Sequence, residues 1–279
     1  MSGNSHITTK SLIAPILNTY AINRMLDVGC ADGGFTSLLA ESTNIPHIIG
    51  IDANAEMITD ALNRDAPQKS RLYFANESYE KYGDNNLDCV LFSSVLHEIS
   101  SYCKDKNSRY LSMPIQDALC RANVMLNPNG IVVVRDMVKA ENSFKNYLKV
   151  RFTSNEHFHL FLDFMDKSPF MNHPCMHYSE NPKCHWNGDG HIEIREDVLL
   201  EFLMVATWGN ESFEREMQER KFILSKYLWQ ETFKNAGFTI NMWLETNEEY
   251  PKYWRRIVDF DGDYVFPSTT CLIVGEKRK

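Results

Sequence analysis

The chain has 279 residues, of which 43% are hydrophobic and 24% are charged, and its formal net charge is -8. This composition suits one folded domain with a buried core and excludes bulk disorder. The negative charge argues against a general nucleic-acid-coating protein, because phosphate backbones are bound through lysine and arginine. The sequence shows no signal peptide and no apolar run that could span a bilayer, and its seven cysteines form no disulfide pattern. We therefore expect a cytoplasmic protein with reduced thiols and no membrane partner.

The first predicted element is a helix over residues 9–20, in which Ile13, Ile16 and Leu17 recur on one face. Pro15 is expected near the start of this helix, where proline is tolerated. The simplest interpretation is that the helix covers one edge of a sheet. The alternative is that it forms a lid over a ligand.

A buried strand over residues 25–28 leads into a glycine-rich loop, and a helix is predicted over residues 35–42. This order of strand, tight turn and helix builds a nucleotide-sized crevice at the carboxyl end of a parallel sheet. Further strands are predicted at 47–51, 72–75, 87–92 and 131–134, and further helices at 55–64 and 114–125. Because strands and helices alternate, the sequence predicts an α/β protein with a doubly wound, mostly parallel sheet.

Asp52 directly follows the second predicted strand. Its distance along the chain from Asp27 is close to the offset at which dinucleotide-binding folds place an acid to accept hydrogen bonds from ribose hydroxyls. The GxGxxG spacing of nicotinamide-binding enzymes is absent from the preceding loop. The pattern therefore favours a nucleotide-like cofactor other than a nicotinamide dinucleotide.

Five segments, met in order along the chain, resemble the motifs of class I S-adenosylmethionine-dependent methyltransferases. They are LDVGCADGG (26–34), GIDAN (50–54), FANES (74–78), LDCVLFSSVLHEI (87–99) and LNPNGIVVVRD (126–136). Near the C-terminus, NAGF (235–238) and TTCLIVGEK (269–277) resemble the sixth and seventh strands of the family. Ala31 departs from the pattern, since the middle glycine of the first motif normally stands there. The resemblance implies a seven-stranded sheet whose last strand is antiparallel.

The same resemblance implies S-adenosyl-L-methionine as cofactor and S-adenosyl-L-homocysteine as product. Asp52 would accept hydrogen bonds from both ribose hydroxyls, Asn76 would lie near the adenine, and Asp27 would face the charged methionine end. The cofactor-binding residues implied by the motifs are Asp27, Gly29, Cys30, Ala31, Gly33, Asp52, Ala53, Asn76, Glu77, Ser93 and Ser94.

Three residues at the predicted strand ends are candidate catalytic groups: His97, Glu98 and Asp136. Methyl transfer needs a base only where the acceptor carries a proton that must leave. His97 is the leading candidate, because the unperturbed pKa of histidine is near neutrality. The alternative is that His97 packs beneath the crevice among apolar neighbours and orients a loop.

Residues 137–223 form a connection too long for an ordinary loop, so we predict a largely helical substrate-recognition cap inserted between the fifth and sixth strands of a single domain, 1–279. A buried helix is predicted over 196–207 and a charged helix over 212–221. Arg215 could bind an anionic substrate group, or it could simply pair with glutamates on a solvated helix. The predicted substrate-binding residues are His97, Trp208 and Arg215.

The cap also contains histidines and cysteines of the types that bind zinc, namely His173, Cys175, His177, Cys184 and His185. Their spacing fits no standard zinc finger or ribbon. We therefore predict no metal site, and we expect these residues at the mouth of the pocket or on the surface.

The predicted function is methyl transfer from S-adenosyl-L-methionine to an O, N or C atom of a small or nucleotide-sized acceptor, by a monomer or homodimer. The SSVLHEI segment (93–99) resembles small-molecule methyltransferases of the quinone-biosynthesis kind. An RNA-modifying enzyme is one alternative, and it would need a basic surface on the cap built from Lys145, Lys149, Arg151, Arg195, Arg255 and Arg256. A catalytically silent subunit that serves as a platform for a partner is the other.

Overall fold

A computed structural model describes residues 7–171, 184–186, 191–247 and 250–278. Its strands are β1 (Arg24–Val28), β2 (His47–Asp52), β3 (Leu72–Asn76), β4 (Leu87–Ser93), β5 (Leu126–Met137), β6 (Tyr147–Phe152), β7 (Cys184–Trp186), β8 (Ile192–Arg195), β9 (Phe238–Thr246), β10 (Val258–Phe260) and β11 (Thr270–Lys277). Its α-helices are α1 (Ile7–Leu17), α2 (Gly34–Ser42), α3 (Ala55–Asn63), α4 (Leu96–Ser101), α5 (Met113–Met125), α6 (Asn155–Lys167), α7 (Glu196–Ala206), α8 (Asn210–Glu216), α9 (Lys226–Asn235) and α10 (Tyr250–Trp254).

The main sheet has seven strands in the order β3-β2-β1-β4-β5-β11-β9. Strands β1 to β5 pair in parallel, whereas β11 runs antiparallel to both of its neighbours, β5 and β9. This confirms the predicted mostly parallel sheet with an antiparallel last strand. The strand order reverses between β1 and β4, and a crevice opens at the carboxyl ends of such a pair.

Both faces of the sheet are covered, which explains why its central strands are almost continuously apolar. Helices α5 and α9 pack on one face, and α1 and α2 pack on the other through residues such as Leu17 and Leu39. Helix α1 begins at Ile7, so Pro15 lies near its end and not near its start as predicted. Proline has no N–H to donate to the carbonyl four residues before it, so Pro15 weakens the last turn of the helix.

A second hydrophobic core is formed mainly by residues that follow β5 and residues that follow β9. It contains a four-stranded sheet, β10-β6-β8-β7, in addition to the predicted helices. Phe152 and Phe202 pack edge to face there, with ring centroids 5.9 Å apart. Strand β10 belongs to the segment between β9 and β11, so this second core draws residues from beyond 137–223.

Helices α7 and α8 differ in how well the sequence predicted them. Helix α7 is buried along nearly its whole length, as its apolar composition predicted. The predicted charged helix over 212–221 is wrong at its end, because α8 stops at Glu216. The buried Glu201 carboxylate of α7 accepts hydrogen bonds from the backbone N–H groups of Lys221 and Phe222 (2.9 Å each) and so turns this segment inward.

Candidate functional site

A cleft of about 450 Å³ opens at the carboxyl ends of β1, β2 and β4. The loop after β1 reaches it through Gly29, whose φ is +70° and whose N–H donates to the Ile51 carbonyl (2.9 Å). A Cβ at Gly29 would lie 2.6 Å from Val95 Cγ2, so only glycine fits this turn. Gly33 repeats the pattern at φ +71°, where a Cβ would lie 2.8 Å from the Phe74 ring. The two glycines let the first loop pass close to its neighbours without closing the cleft.

Asp52 fixes the glycine-rich loop from the neighbouring strand. One carboxylate oxygen accepts the Ala31 N–H (2.9 Å) and the other accepts the Asn54 N–H (2.8 Å). Each oxygen keeps a second lone pair, and the side chain lines the cleft. Ala31 adopts φ +48°, the left-handed region that the usual glycine would enter without strain. The departure at Ala31 is therefore tolerated in a loop that Asp52 holds in place.

The other predicted cofactor residues fall into two groups. Those on the wall of the cleft, besides Gly29 and Asp52, are Ala53 and Glu77; those beneath or beside it are Asp27, Cys30, Ala31, Gly33, Asn76, Ser93 and Ser94. Asn76 uses its amide to donate to the Asp52 carbonyl (3.0 Å). Asp27 is buried and accepts a hydrogen bond from the Thr36 hydroxyl (2.7 Å), and burial raises its pKa to about 6.

Residues that the sequence reasoning missed complete the cleft: Ser78, Tyr79, Glu80, Lys81, Ile99, Tyr102 and Lys104. The Ser78 hydroxyl is buried and has no hydrogen-bond partner in the part of the chain that the structure describes. A ligand beside it would supply one, because buried polar atoms are almost always paired. The FANES motif, which ends at Ser78, was the available signal.

A second pocket, of about 270 Å³, lies between the sheet and the second core. Its walls are Lys10, Ser94, His97, Glu98, Met137, Trp208, Arg215, Glu216, Glu219 and Lys221. All three predicted substrate-binding residues, His97, Trp208 and Arg215, are thus brought together. Glu98 lines both this pocket and the cofactor cleft, so the two cavities adjoin at this residue. We call the second cavity the acceptor pocket.

His97 lies at the start of α4, in the wall of the acceptor pocket, and is held by Asp136, another of the candidate catalytic residues. Its Nδ1 lies 2.7 Å from Asp136 Oδ1, while Asp136 Oδ2 accepts the Leu96 N–H (2.9 Å). Its Nε2 lies 3.6 Å from Glu219 Oε2. Burial alone would lower the pKa of His97, but the Asp136 and Glu219 carboxylates outweigh it and raise this pKa to about 10. The imidazole is therefore protonated near neutral pH, which argues against its predicted role as base.

Glu219 belongs to a buried ion cluster that the sequence reasoning took for a solvated charge run. Lys221 Nζ forms a short ion pair with Glu219 and lies 2.8 Å from Glu216 Oε2. Arg215 then pairs with Glu216 at 2.8 Å, and the Tyr102 hydroxyl donates to Glu219 (3.0 Å). Burial would raise the pKa of Glu219, but its hydrogen-bonded cationic neighbours His97 and Lys221 lower it to about 2. The cluster joins the second core to α4.

Glu98 differs from the other acids of the acceptor pocket. Its carboxylate forms no hydrogen bond or ion pair with any residue that the structure describes. Burial raises the pKa of Glu98 to about 7, more than the nearby imidazolium lowers it. Glu98 is therefore a half-buried carboxyl group poised to exchange a proton near neutral pH.

Helix α1 forms the remaining wall of the acceptor pocket. Arg135, buried at the end of β5, donates to the Thr9 hydroxyl (2.6 Å) and to the Ser94 hydroxyl. Ser94 has φ +61°, and its N–H donates to the Arg135 carbonyl (2.7 Å). These contacts tie α1 to the ends of two strands and place Lys10 on the pocket wall. The helix thus both covers the sheet and borders the acceptor pocket.

Most of the histidines and cysteines for which we predicted no metal site lie outside the described residues. His173, Cys175 and His177 lie there, whereas Cys184 and His185 lie on β7. Among the described residues, His97, Glu98 and Glu219 bring ligand atoms within 4.8 Å of one another. Lys221 already pairs with the Glu219 oxygen that faces His97, so an ion bound there would compete with that ammonium.

Comparison with known proteins identifies the family. Residues 22–194 match the family model described as a methyltransferase domain. The match spans more than half of the chain and covers the glycine-rich loop, Asp52 and the acceptor-pocket residues of α4. The chain belongs to the class I S-adenosylmethionine-dependent methyltransferases. Its cofactor is therefore S-adenosyl-L-methionine.

Solved structures of this methyltransferase fold share it at low sequence identity. An S-adenosylmethionine-dependent methyltransferase from Mesorhizobium loti is 13% identical with a TM-score of 0.56, and 99% of each chain is covered. The [4+2]-cyclase SpnF is 17% identical with a TM-score of 0.54, over 97% of this chain and 80% of SpnF. A candidate O-methyltransferase from Nostoc punctiforme is 14% identical with a TM-score of 0.53. The match covers 96% of the present chain but 56% of the Nostoc protein, so the present chain spans little more than half of the length of that protein.

A comparison with curated proteins finds no match. Among the residues that the structure describes, no helix is both long enough and apolar enough to cross a membrane.

Proposed function

We propose that this methyltransferase transfers the methyl group of S-adenosyl-L-methionine to an O, N or C atom of a small acceptor that occupies the acceptor pocket. The observation that carries the proposal is the meeting of the cofactor cleft and the acceptor pocket at Glu98. Methyl transfer requires donor and acceptor to be held in line and close together, and adjoining cavities provide that arrangement. The acceptor pocket, at about 270 Å³, suits a small molecule or a nucleotide-sized group.

The cofactor cleft fits S-adenosyl-L-methionine in volume and in chemistry. Its 450 Å³ falls within the ~300–1,000 Å³ usual for such ligands. The remaining lone pairs of the Asp52 carboxylate can accept hydrogen bonds from a ligand, and the Ser78 hydroxyl can form a hydrogen bond with it. Acidic side chains on the wall (Asp52, Glu77, Glu80 and Glu98) complement the positive sulfonium, which supplies the methyl group.

Calorimetry with S-adenosyl-L-homocysteine tests the cofactor site. Asp52→Asn keeps the side-chain volume but removes the charge, so we expect a loss of roughly 1.5–3 kcal/mol of binding, the value of hydrogen bonds to a charged group. Glu41→Gln, an exposed charge change on α2 outside the cleft, is the matched control and should bind as the wild type does. If wild-type protein binds neither S-adenosyl-L-methionine nor S-adenosyl-L-homocysteine, the proposal fails.

Two of the six predicted basic residues, Arg195 and Lys149, weaken the RNA-modifying alternative. Arg195 is buried and donates to Asp197 (2.6 and 3.1 Å), and Lys149 pairs with Asp261 at 3.5 Å. These cations therefore do not contribute unpaired charge to an RNA-binding surface. RNA affinity that falls steeply with added salt would restore this alternative.

The platform alternative has one fold-level argument in its favour. SpnF shares the fold and is named as a cyclase, so the fold alone does not fix the reaction. Against it stands the acceptor pocket, which a passive platform would not need beside the cofactor cleft. Methyl transfer to any acceptor, detected by mass spectrometry, would exclude the platform as the sole role.

A further inference from the structure

We propose that the acceptor is a small amine, which enters as its ammonium form, and that Glu98 binds this ammonium and removes its proton. This inference rests on the proposed function and narrows it to one class of acceptor. It follows from the distribution of charge around the acceptor pocket.

Three of the four acids near this pocket form an ion pair with a cation. Glu219 pairs with Lys221, Glu216 pairs with both Lys221 and Arg215, and Asp136 pairs with His97. Glu98 alone, of these four, has no ion-pair or hydrogen-bond partner among the described residues. The cations of the ion cluster are thus already committed, and the position beside Glu98 is open to a cation that comes from outside.

A carboxylate withdrawn from water is costly unless a cation or a donor reaches it. A bound ammonium would relieve that cost, whereas an alcohol would offer one neutral hydrogen bond. The sulfonium of the cofactor brings a second positive charge to the neighbouring cleft. Because Glu98 lines both cavities, its negative charge would lie near both cations and offset their repulsion.

The reaction also needs a proton acceptor if the amine arrives protonated, since an ammonium nitrogen has no free electron pair. Glu98 takes one proton from nitrogen, which frees that pair. The pair then forms the C–N bond as the C–S bond breaks with its electrons remaining on sulfur, and the product is an N-methylammonium ion. The buried imidazole of His97 cannot serve instead, because Asp136 and Glu219 keep it protonated.

Other titratable groups face Glu98 from every side and must be separated from it in any pH study. His97 lies beside it on α4, Asp136 lies behind on β5, and Glu219 and Lys221 approach from the segment after α8. Tyr102, just after α4, and Arg215 on α8 also interact electrostatically with Glu98. Of these groups, His97 and Glu219 have pKa values of about 10 and 2, far from neutrality. The buried Asp27, with a pKa of about 6, also titrates in this range, so a rate that rises through pH 7 reports Glu98 when Glu98→Gln removes the rise.

The test is calorimetry on the protein saturated with S-adenosyl-L-homocysteine. The probes are phenethylamine and tryptamine, each compared with its alcohol counterpart, 2-phenylethanol or tryptophol; the aromatic bodies suit the Trp208 wall. We expect at least one amine to bind about tenfold or more tightly than its alcohol, and Glu98→Gln to abolish that preference. Binding measured in two buffers with different ionisation enthalpies should show a proton transfer that Glu98→Gln removes and Glu98→Asp retains.

Glu211→Gln is the matched control, because Glu211 lies on the exposed side of α8 and outside the acceptor pocket. Thermal melting of each variant checks that it is folded. When S-adenosyl-L-methionine replaces S-adenosyl-L-homocysteine in the mixture, mass spectrometry should detect the N-methylated amine. If the alcohols bind as well as the amines, if no amine in the panel binds, or if Glu98→Gln binds amines unchanged, the inference is overturned. Continued binding of S-adenosyl-L-homocysteine in those cases would leave the proposed function standing.

Discussion

Replacing Lys221 by methionine should destabilise the fold strongly, because this one ammonium serves two buried carboxylates. Its Nζ lies 2.8 Å from Glu216 and closer still to Glu219, and all three side chains are at most 10% exposed. Methionine is similar in length and apolar, so the change removes the charge and little volume. Among the residues that the structure describes, Arg215, Tyr102 and His97 would remain as the hydrogen-bond or ion-pair partners of the two carboxylates.

Breaking a buried ion pair by removing one partner typically costs about 3–5 kcal/mol. Arg215, Tyr102 and the distant His97 contact relieve part of that loss, so we expect about 3 kcal/mol for Lys221→Met. Urea unfolding followed by circular dichroism measures it, with an unchanged slope indicating that the native and unfolded states keep their surface areas. The double variant Lys221→Met/Glu219→Gln removes one stranded charge and should recover part of the loss.

The matched control is Lys234→Met, which removes an exposed cation that lies 3.6 Å from Glu231 on α9. Exposed pairs of this kind contribute about 0–1 kcal/mol, so its effect should be small. Equal losses for Lys221→Met and Lys234→Met, or a double variant less stable than Lys221→Met, would refute the view that a buried ion cluster links the second core to α4.

Two further predictions concern the glycine-rich loop and pH. At Gly29 the φ is +70°, and the Cβ of an alanine would lie only 2.6 Å from Val95. At Gly209 the φ is similar, +78°, but the space around a new Cβ is open. Backbone strain costs roughly 1–2 kcal/mol at either position, so Gly29→Ala should destabilise the fold by more than Gly209→Ala does. Gly29→Ala should also abolish calorimetric binding of S-adenosyl-L-homocysteine, and normal binding would contradict the assignment of the cleft. For pH, the folded-state pKa of His97 of about 10 lies above its unfolded value of about 6.5. The stability that His97 contributes is therefore fully present below about pH 6.5 and is lost as the pH rises through about 10. Urea unfolding between pH 6 and 10.5 should show this decline in the wild type and a weaker one in His97→Gln; identical profiles would exclude a protonated His97.

The methyltransferase sheet could be read from the sequence because its signals are local. Strands β1 to β4 are short, mainly apolar runs, and three of them end in a polar residue: β2 in Asp52, β3 in Asn76 and β4 in Ser93. The antiparallel sheet of the second core gave no comparable signal. Strand β10 has three residues, and its pairing of Val258 with Phe152 joins parts of the chain far apart in sequence. Such pairing depends on tertiary packing, which no local pattern specifies.

The candidate catalytic residues show the same limit more sharply, because their position could be predicted from the sequence more easily than their protonation. The motif after β4 contains His97 and Glu98, and both line the acceptor pocket. Roles were then assigned from unperturbed pKa values, which made histidine the natural base. In the folded protein, Asp136 and Glu219 reach His97 from β5 and from the segment after α8, and both stabilise its charge. Glu98 meets no such partner among the described residues, and burial brings its pKa to about 7. The exchange of roles thus arises from the same long-range ion cluster that fixes the second core, so perturbing Lys221 should alter both the stability of the fold and the pH dependence of methyl transfer.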